Sequence, residues 1–193
     1  IVTHTGPYAG RKLKISRNPF AGLLLDALDS DRWPRRFVTG PHQSGKTLYG
    51  SVIPLLYHLF EVKETVVYGV PNREMVADKW ADDLLPAIKA SRFRDLLPER
   101  GPGSRGGNTQ RVRFGNGVTL RFMTGGGDDE VRAGFSARVL IVTEADSFDE
   151  TGGNSFEADK FSQLEGRTRA FGSNARIYAE CTLKTDGHRT WRE

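Results

Sequence analysis

The sequence predicts an α/β domain built on a mostly parallel sheet, and three observations carry that expectation. Gly40, Pro41, His42, Gln43, Ser44, Gly45, Lys46 and Thr47 fit the phosphate-loop pattern G-x-x-x-x-G-K-[ST] residue for residue. The loop lies between a strand-like stretch, 35–39, and a helical stripe of Leu48, Val52, Leu55, Leu56 and Leu59. Two further runs, 65–70 and 139–142, are apolar without alternation, as strands buried on both faces of a parallel sheet are. Strand, loop, helix, strand, helix is the order of a βαβ unit.

The loop pattern has a chemical reason. Its glycines let the backbone turn tightly, so successive N–H groups converge on the β- and γ-phosphates at a helix N-terminus. Lys46 adds a mobile cation to the same oxygens, and the Thr47 hydroxyl is placed to ligate Mg²⁺. The expected ligand is a nucleoside triphosphate.

Length and composition set the frame. A chain of 193 residues fits one domain, large enough to bury about 70% of its unfolded surface. A single cysteine, Cys181, rules out an internal disulfide framework and suits a reducing compartment. There is no apolar run of membrane-spanning length and no signal-peptide pattern, so no membrane partner is expected. The first residue is Ile1 rather than Met, which reads as a trimmed N-terminus. The net charge of +4 conceals 20 arginines against 8 lysines. Arginine forks suit phosphate, so this excess points mildly to nucleic acid or, equally, to a solvated basic surface.

In chain order, residues 1–17 read as a basic arm. Asn18 is expected to cap a helix through Leu23, Leu24, Leu25 and Leu28. Arg17 or Phe20 could stack on a nucleotide base, with core packing favoured for Phe20. Pro54 is expected to kink the helix after the phosphate loop near Ile53. After the strand at 65–70, a second helix passes through Val76, Trp80 and Leu84 and is expected to end near Pro86. Residues 99–109 are loop by composition.

A hairpin follows, and its register can be argued. With Gly115-Asn116-Gly117 as a three-residue turn and Gly117 left-handed, Phe114 faces Val118 and Val112 faces Leu120. One face then carries Val112, Phe114, Val118, Leu120 and Phe122; the other carries Arg111, Arg113, Thr119 and Arg121. A two-residue Asn-Gly turn would mix arginines into the apolar face. Arg111 opposite Arg121 costs stability unless solvent or an anion intervenes, which makes Arg111, Arg113 and Arg121 candidate DNA contacts.

Gly125 to Glu130 reads as an acidic flexible loop leading to Arg132-Ala133-Gly134. The apolar strand 139–142 ends in Thr143-Glu144-Ala145-Asp146. A strand ending in an acid puts that acid at the carboxyl edge of the sheet, beside the phosphate loop. There Glu144 can polarise a water for in-line attack on the γ-phosphorus. Asn154 with Glu157 forms a capping box for a helix through Phe161 and Leu164. A last strand, 175–179, delivers Glu180-Cys181-Thr182 to the same edge, where the thiol and hydroxyl could sense the γ-phosphate or simply form a turn.

With these residues in hand, the chain resembles the ATPase domain of phage large terminases, which package DNA into procapsids. The resemblance covers the phosphate loop, Val66 to Arg73, Arg132-Ala133-Gly134, the Walker B strand Val139 to Glu144, and Cys181-Thr182 at the place of the coupling motif. It implies a RecA-like P-loop NTPase of the ASCE type, with the Cys181-Thr182 strand between the phosphate-loop and Walker B strands. ATP and Mg²⁺ are the implied cofactors, Thr182 the coupling residue and Arg132 a finger reaching a neighbouring subunit's γ-phosphate. The alternative for Arg132 is a surface arginine paired with Asp128, Asp129 or Glu130. Implied partners are double-stranded DNA, other copies in a ring-like motor, the small terminase subunit and the portal, in the host cell cytoplasm. A nuclease domain is implied beyond Glu193. One departure stands out: the family usually ends the Walker B strand in Asp-Glu, and here it is Thr143-Glu144. Mg²⁺ would then lean on Thr47, ATP oxygens and water, with Thr143 at most an indirect ligand. Two rivals are a superfamily-2 helicase domain, since Thr143-Glu144-Ala145-Asp146 is one letter from the DEAD box, and a catalytically silent nucleotide-binding scaffold.

Overall fold

The computed structural model describes residues 3, 9–30, 32–101, 110–124, 135–151 and 160–182. Among these residues six strands form one sheet: β1 (Arg35–Thr39), β2 (Val66–Val70), β3 (Arg111–Arg113), β4 (Thr119–Thr124), β5 (Val139–Thr143) and β6 (Arg176–Cys181). Their spatial order is β1-β6-β5-β2-β4-β3. All neighbours run parallel except the edge pair β3 and β4. Among the described residues β6, the last strand, is therefore inserted between β1 and β5, as the resemblance implies.

β2 and β5 are buried along their whole length, which is why they carry no polar alternation. Period-2 alternation divides their side chains between two apolar layers. Val139, Ile141 and Tyr178 pack in one layer with Val52, Leu55, Leu59, Trp80 and Leu84. Leu140, Val142, Ile177, Ala179 and Cys181 pack in the other with Phe161 and Leu164.

Helix α1 (Phe20–Asp29) begins at Pro19, with no side-chain cap. Asn18 does not cap it: its amide donates to the Tyr49 hydroxyl at 3.2 Å, so it ties the segment to the phosphate-loop helix. That helix, α2 (48–62), is continuous. Its central turn, Ile53–Leu56, is α-helical and its flanks, Leu48–Val52 and Tyr57–Val62, are more loosely wound. The N–H that Pro54 lacks falls where the winding changes, and the dihedrals of Val52 and Ile53 remain helical. Lys63, left-handed at φ +63°, ends the helix. Helix α3 (74–89) likewise passes through Pro86 rather than ending there. Burial of Leu85, Ala87 and Ile88 outweighs the one lost backbone bond. Helix α4 (Lys160–Glu165) covers the opposite layer; its expected capping pair, Asn154 and Glu157, lies outside the described residues.

The hairpin has the expected register. Gly117 is left-handed at φ +86°, the Phe114 N–H donates to the Val118 carbonyl, and Arg111 pairs with Arg121, Val112 with Leu120 and Arg113 with Thr119.

At the amino end of the sheet a partly buried polar cluster joins α2 to β6. His58 holds Glu64 through Nδ1 at 2.6 Å and Tyr178 Oη through Nε2 at 3.0 Å. Arg138 adds a fork to the Glu64 carboxylate, both bonds 2.6 Å. Burial lowers the His58 pKa from the ordinary 6.5, more than the Glu64 hydrogen bond and charge raise it. For Glu64, burial pushes upward, but the hydrogen bonds from Arg138 and His58 and their charges hold it below the ordinary 4.5. The unfolded chain thus takes up protons before the folded one at both residues, so stability falls on acidification. The His58 contribution is complete above pH about 6.5 and declines as pH falls toward its lower folded value. The melting temperature should therefore drop between pH 7.5 and pH 5, with a shallower drop in His58→Gln. Equal pH slopes in the two proteins would show that His58 does not titrate between the folded and unfolded states.

Candidate active site

The loop after β1 is shaped by backbone that only a few residues tolerate. Gly45 has φ +86°, and a Cβ there would lie 2.9 Å from the Tyr49 ring. Gln43 is left-handed at φ +59° without being glycine. Lys46 folds back across the loop, its Nζ donating to the Pro41 carbonyl at 2.8 Å. Helical backbone is in place by Thr47, φ −59° and ψ −41°. A curved loop feeding a helix N-terminus collects backbone donors for an anion.

The acidic wall comes from β5 and β6. Thr143 and Glu180 are register partners on adjacent strands, and Val38 of β1 is the partner of Glu180 on its other side. By alternation Glu180 shares the face of Tyr178, beneath α2. It is only 1% exposed. Its Oε1 accepts the Thr143 hydroxyl at 2.5 Å and the Thr47 hydroxyl at 3.4 Å. Its Oε2 is buried without a hydrogen-bond partner. Burial pushes the Glu180 carboxyl above its ordinary range, with Glu144 adding to that push, against the Thr143 hydrogen bond and the charges of Lys79 and Lys46. Lys79, on α3, is held by Asp83 at 3.0 Å. Burial lowers its pKa, but Asp83, Glu180 and Glu144 together hold it above the ordinary value.

Glu144 follows directly, half-buried, in left-handed backbone at φ +51°. Of the three non-glycine residues with positive φ among those described, two, Gln43 and Glu144, lie in this site. Such strain persists where the surrounding structure dictates it, and it concentrates at functional sites.

Thr47, Thr143 and Glu180 converge as oxygen donors, and one buried carboxylate oxygen lacks a partner. This donor set suits a hard cation such as Mg²⁺. Among the described residues no group of three or more His, Cys, Asp or Glu could hold a metal by itself, so a cation held here would need other oxygens, such as those of a phosphate or water, to complete its shell.

The remaining predicted residues are distributed as follows. Phe20 is 49% exposed, edge-on to Tyr49 at 6.1 Å between ring centres, so it is not a core residue. Arg17 is exposed three residues earlier and reaches the Lys12 carbonyl. Cys181 is fully buried in the opposite apolar layer, so its thiol cannot sense a phosphate. Thr182 follows the residue paired with Thr39, which sets it level with the start of the loop. Arg111 and Arg113 are exposed, Thr119 is buried, and the Arg121 guanidinium lies 4.3 Å from the centre of the Phe135 ring. Burial, and then the Arg111 charge, lowers the Arg121 pKa. Arg132 lies outside the described residues.

Sequence reasoning placed Glu180 at this edge but gave it no role, and it passed over Lys79. The signal for Glu180 was the one used for Glu144, an acid closing an apolar run. It acquires meaning only when β6 is known to lie against β5.

Three comparisons bear on this site. The family model described as "Phage terminase large subunit gpA, ATPase domain" matches residues 9–192. No curated protein sequence matches the chain. A crystal structure of the bacteriophage HK97 large terminase shares the fold at a TM-score of 0.63 and 15% identity. The match covers 93% of this chain and 35% of that one, so this chain spans about a third of its length.

Proposed function

This chain belongs to the ATPase-domain family of the phage terminase large subunit gpA, and on that premise we propose that it hydrolyses ATP to drive double-stranded DNA into a procapsid. What supports the reading is that the phosphate loop and the left-handed Glu144 each follow the carboxyl end of a strand in one parallel sheet. The family match across residues 9–192 favours this reading over a helicase domain.

The backbone of Gly40, Pro41, His42, Gln43, Ser44 and Gly45 cradles the phosphates, and Lys46 moves from the Pro41 carbonyl onto the β- and γ-oxygens. Thr47 holds Mg²⁺, and Thr143 contributes indirectly. When bound, Mg²⁺ neutralises charge on the phosphate oxygens. Glu144 orients the attacking water and accepts its proton as the oxygen closes on the γ-phosphorus and the bond from that phosphorus to the β–γ bridging oxygen breaks, with ADP as the leaving group. Its left-handed backbone is over-determined by the β5 register on one side and the Ser147-to-Glu144 hydrogen bond on the other, which fixes where the residue sits. Arg17 and Phe20 hold the base, a role supported by the tether of Asn18 and Phe20 to Tyr49 of the loop helix. Arg132 reaches into a neighbouring copy to stabilise transition-state charge, and Thr182 relays hydrolysis to movement. Arg111, Arg113 and Arg121 touch DNA. The small terminase subunit, the portal and other copies of the chain complete the motor in the host cytoplasm, with nuclease activity carried outside this domain.

Glu144→Gln should leave ATP binding nearly intact and lower turnover by roughly 10²-fold or more, measured by phosphate release under saturating ATP. Equal losses of binding and turnover would make Glu144 structural. For DNA, the exposed pair is the cleaner test. Arg111→Ala/Arg113→Ala should weaken duplex binding irrespective of sequence and flatten its salt dependence by about two units of slope. An unchanged slope would leave these arginines as a solvated face.

A further inference from the structure

We infer that Glu180, rather than any residue of β5, is the carboxylate that serves the Mg²⁺ site, with Thr143 as its positioning residue; this rests on the ATP-binding reading above. The last residue of β5 is a threonine, so that strand brings no carboxylate to the position level with the loop. Its register partner on β6 does. Glu180 Oε1 already accepts from Thr47, the hydroxyl expected to ligate the cation, and from Thr143. Those two donors both hold Oε1 and leave Oε2 as the oxygen to be filled.

A buried carboxylate oxygen with no donor is costly, and neither nearby lysine relieves it. Lys46 donates to Pro41 and Lys79 to Asp83. A divalent cation, bound directly or through one of its waters, would give that oxygen the partner it lacks. Thr143 then has a clear part: it touches Glu180, holds its rotamer, and stays out of the metal's own shell. Glu144 is left free for the water.

The test separates metal from nucleotide. In the first arm, the non-hydrolysable analogue AMPPNP is titrated in EDTA. In the second, Mn²⁺ is titrated at saturating AMPPNP, with free Mn²⁺ read by electron paramagnetic resonance. Glu180→Gln should bind AMPPNP in EDTA within about threefold of wild type, yet hold Mn²⁺ at least tenfold more weakly. Thr143→Asp in the Glu180→Gln background should recover Mn²⁺ affinity, since it returns a carboxylate to the same cluster. Unchanged Mn²⁺ affinity in Glu180→Gln, or an equal loss in both arms, overturns the inference. Should Glu180→Gln not fold, wild-type crystals with Mn²⁺ and AMPPNP decide. Anomalous scattering should place the ion about 2 Å from Glu180 Oε2, or about 4 Å across one water; a position beyond that reach overturns it. Failure of wild type to bind AMPPNP at all would overturn the ATP-binding reading as well.

Discussion

The site depends on how closely the phosphate-loop helix can approach the sheet. At Gly50 a Cβ would lie 3.0 Å from the Cβ of Glu180 and 3.0 Å from the Cβ of Val38. Contacts that short are tighter than nearly all that real Cβ atoms make, so a larger residue here would push α2 a few tenths of an ångström away from β1 and β6. This approach brings Thr47 within reach of Glu180, whose other partner, Thr143, is set by strand register. Backbone packing therefore assembles a polar cluster from three segments distant in sequence. The polar chain continues beneath it, where Ser51 and the buried Tyr68 hydroxyl are 2.7 Å apart. Burial holds Tyr68 far above its usual titration range, so it stays a neutral hydrogen-bonding group.

The parts of the fold that were legible in the sequence are those set by local rules. The hairpin register followed from Gly117 and the alternation of arginines with apolar residues, because a one-residue slip would have exposed the whole apolar face. The loop and its flanking strand followed from residue types that a phosphate cradle requires. Prolines misled where tertiary burial outweighed one lost hydrogen bond, as Leu85 and Ile88 show around Pro86. Asn18 misled because its amide found a partner, Tyr49, that no local pattern contains. Glu180 was visible as a residue but mute as a function. Its meaning depends on the crossover that sets β6 between β1 and β5.

Strain and charge are concentrated at opposite ends of this sheet for different reasons. At the carboxyl edge, Gln43 and Glu144 occupy left-handed backbone and Glu180 has an oxygen without a partner, costs that a bound ligand can offset. At the amino edge, His58, Glu64, Arg138 and Tyr178 are mutually bonded, so that cluster holds the fold and asks for no ligand. The two ends share β6, which carries both Tyr178 and Glu180.

The central claim is that the loop at 40–47 holds the phosphates of ATP. Equilibrium binding of ATP to wild type and to Lys46→Ala tests it most directly. The account predicts saturable binding by wild type and a loss of about tenfold or more in the variant, since a charge-assisted contact to the phosphates is removed. Equal affinities in the two proteins, or no binding by either, would contradict it.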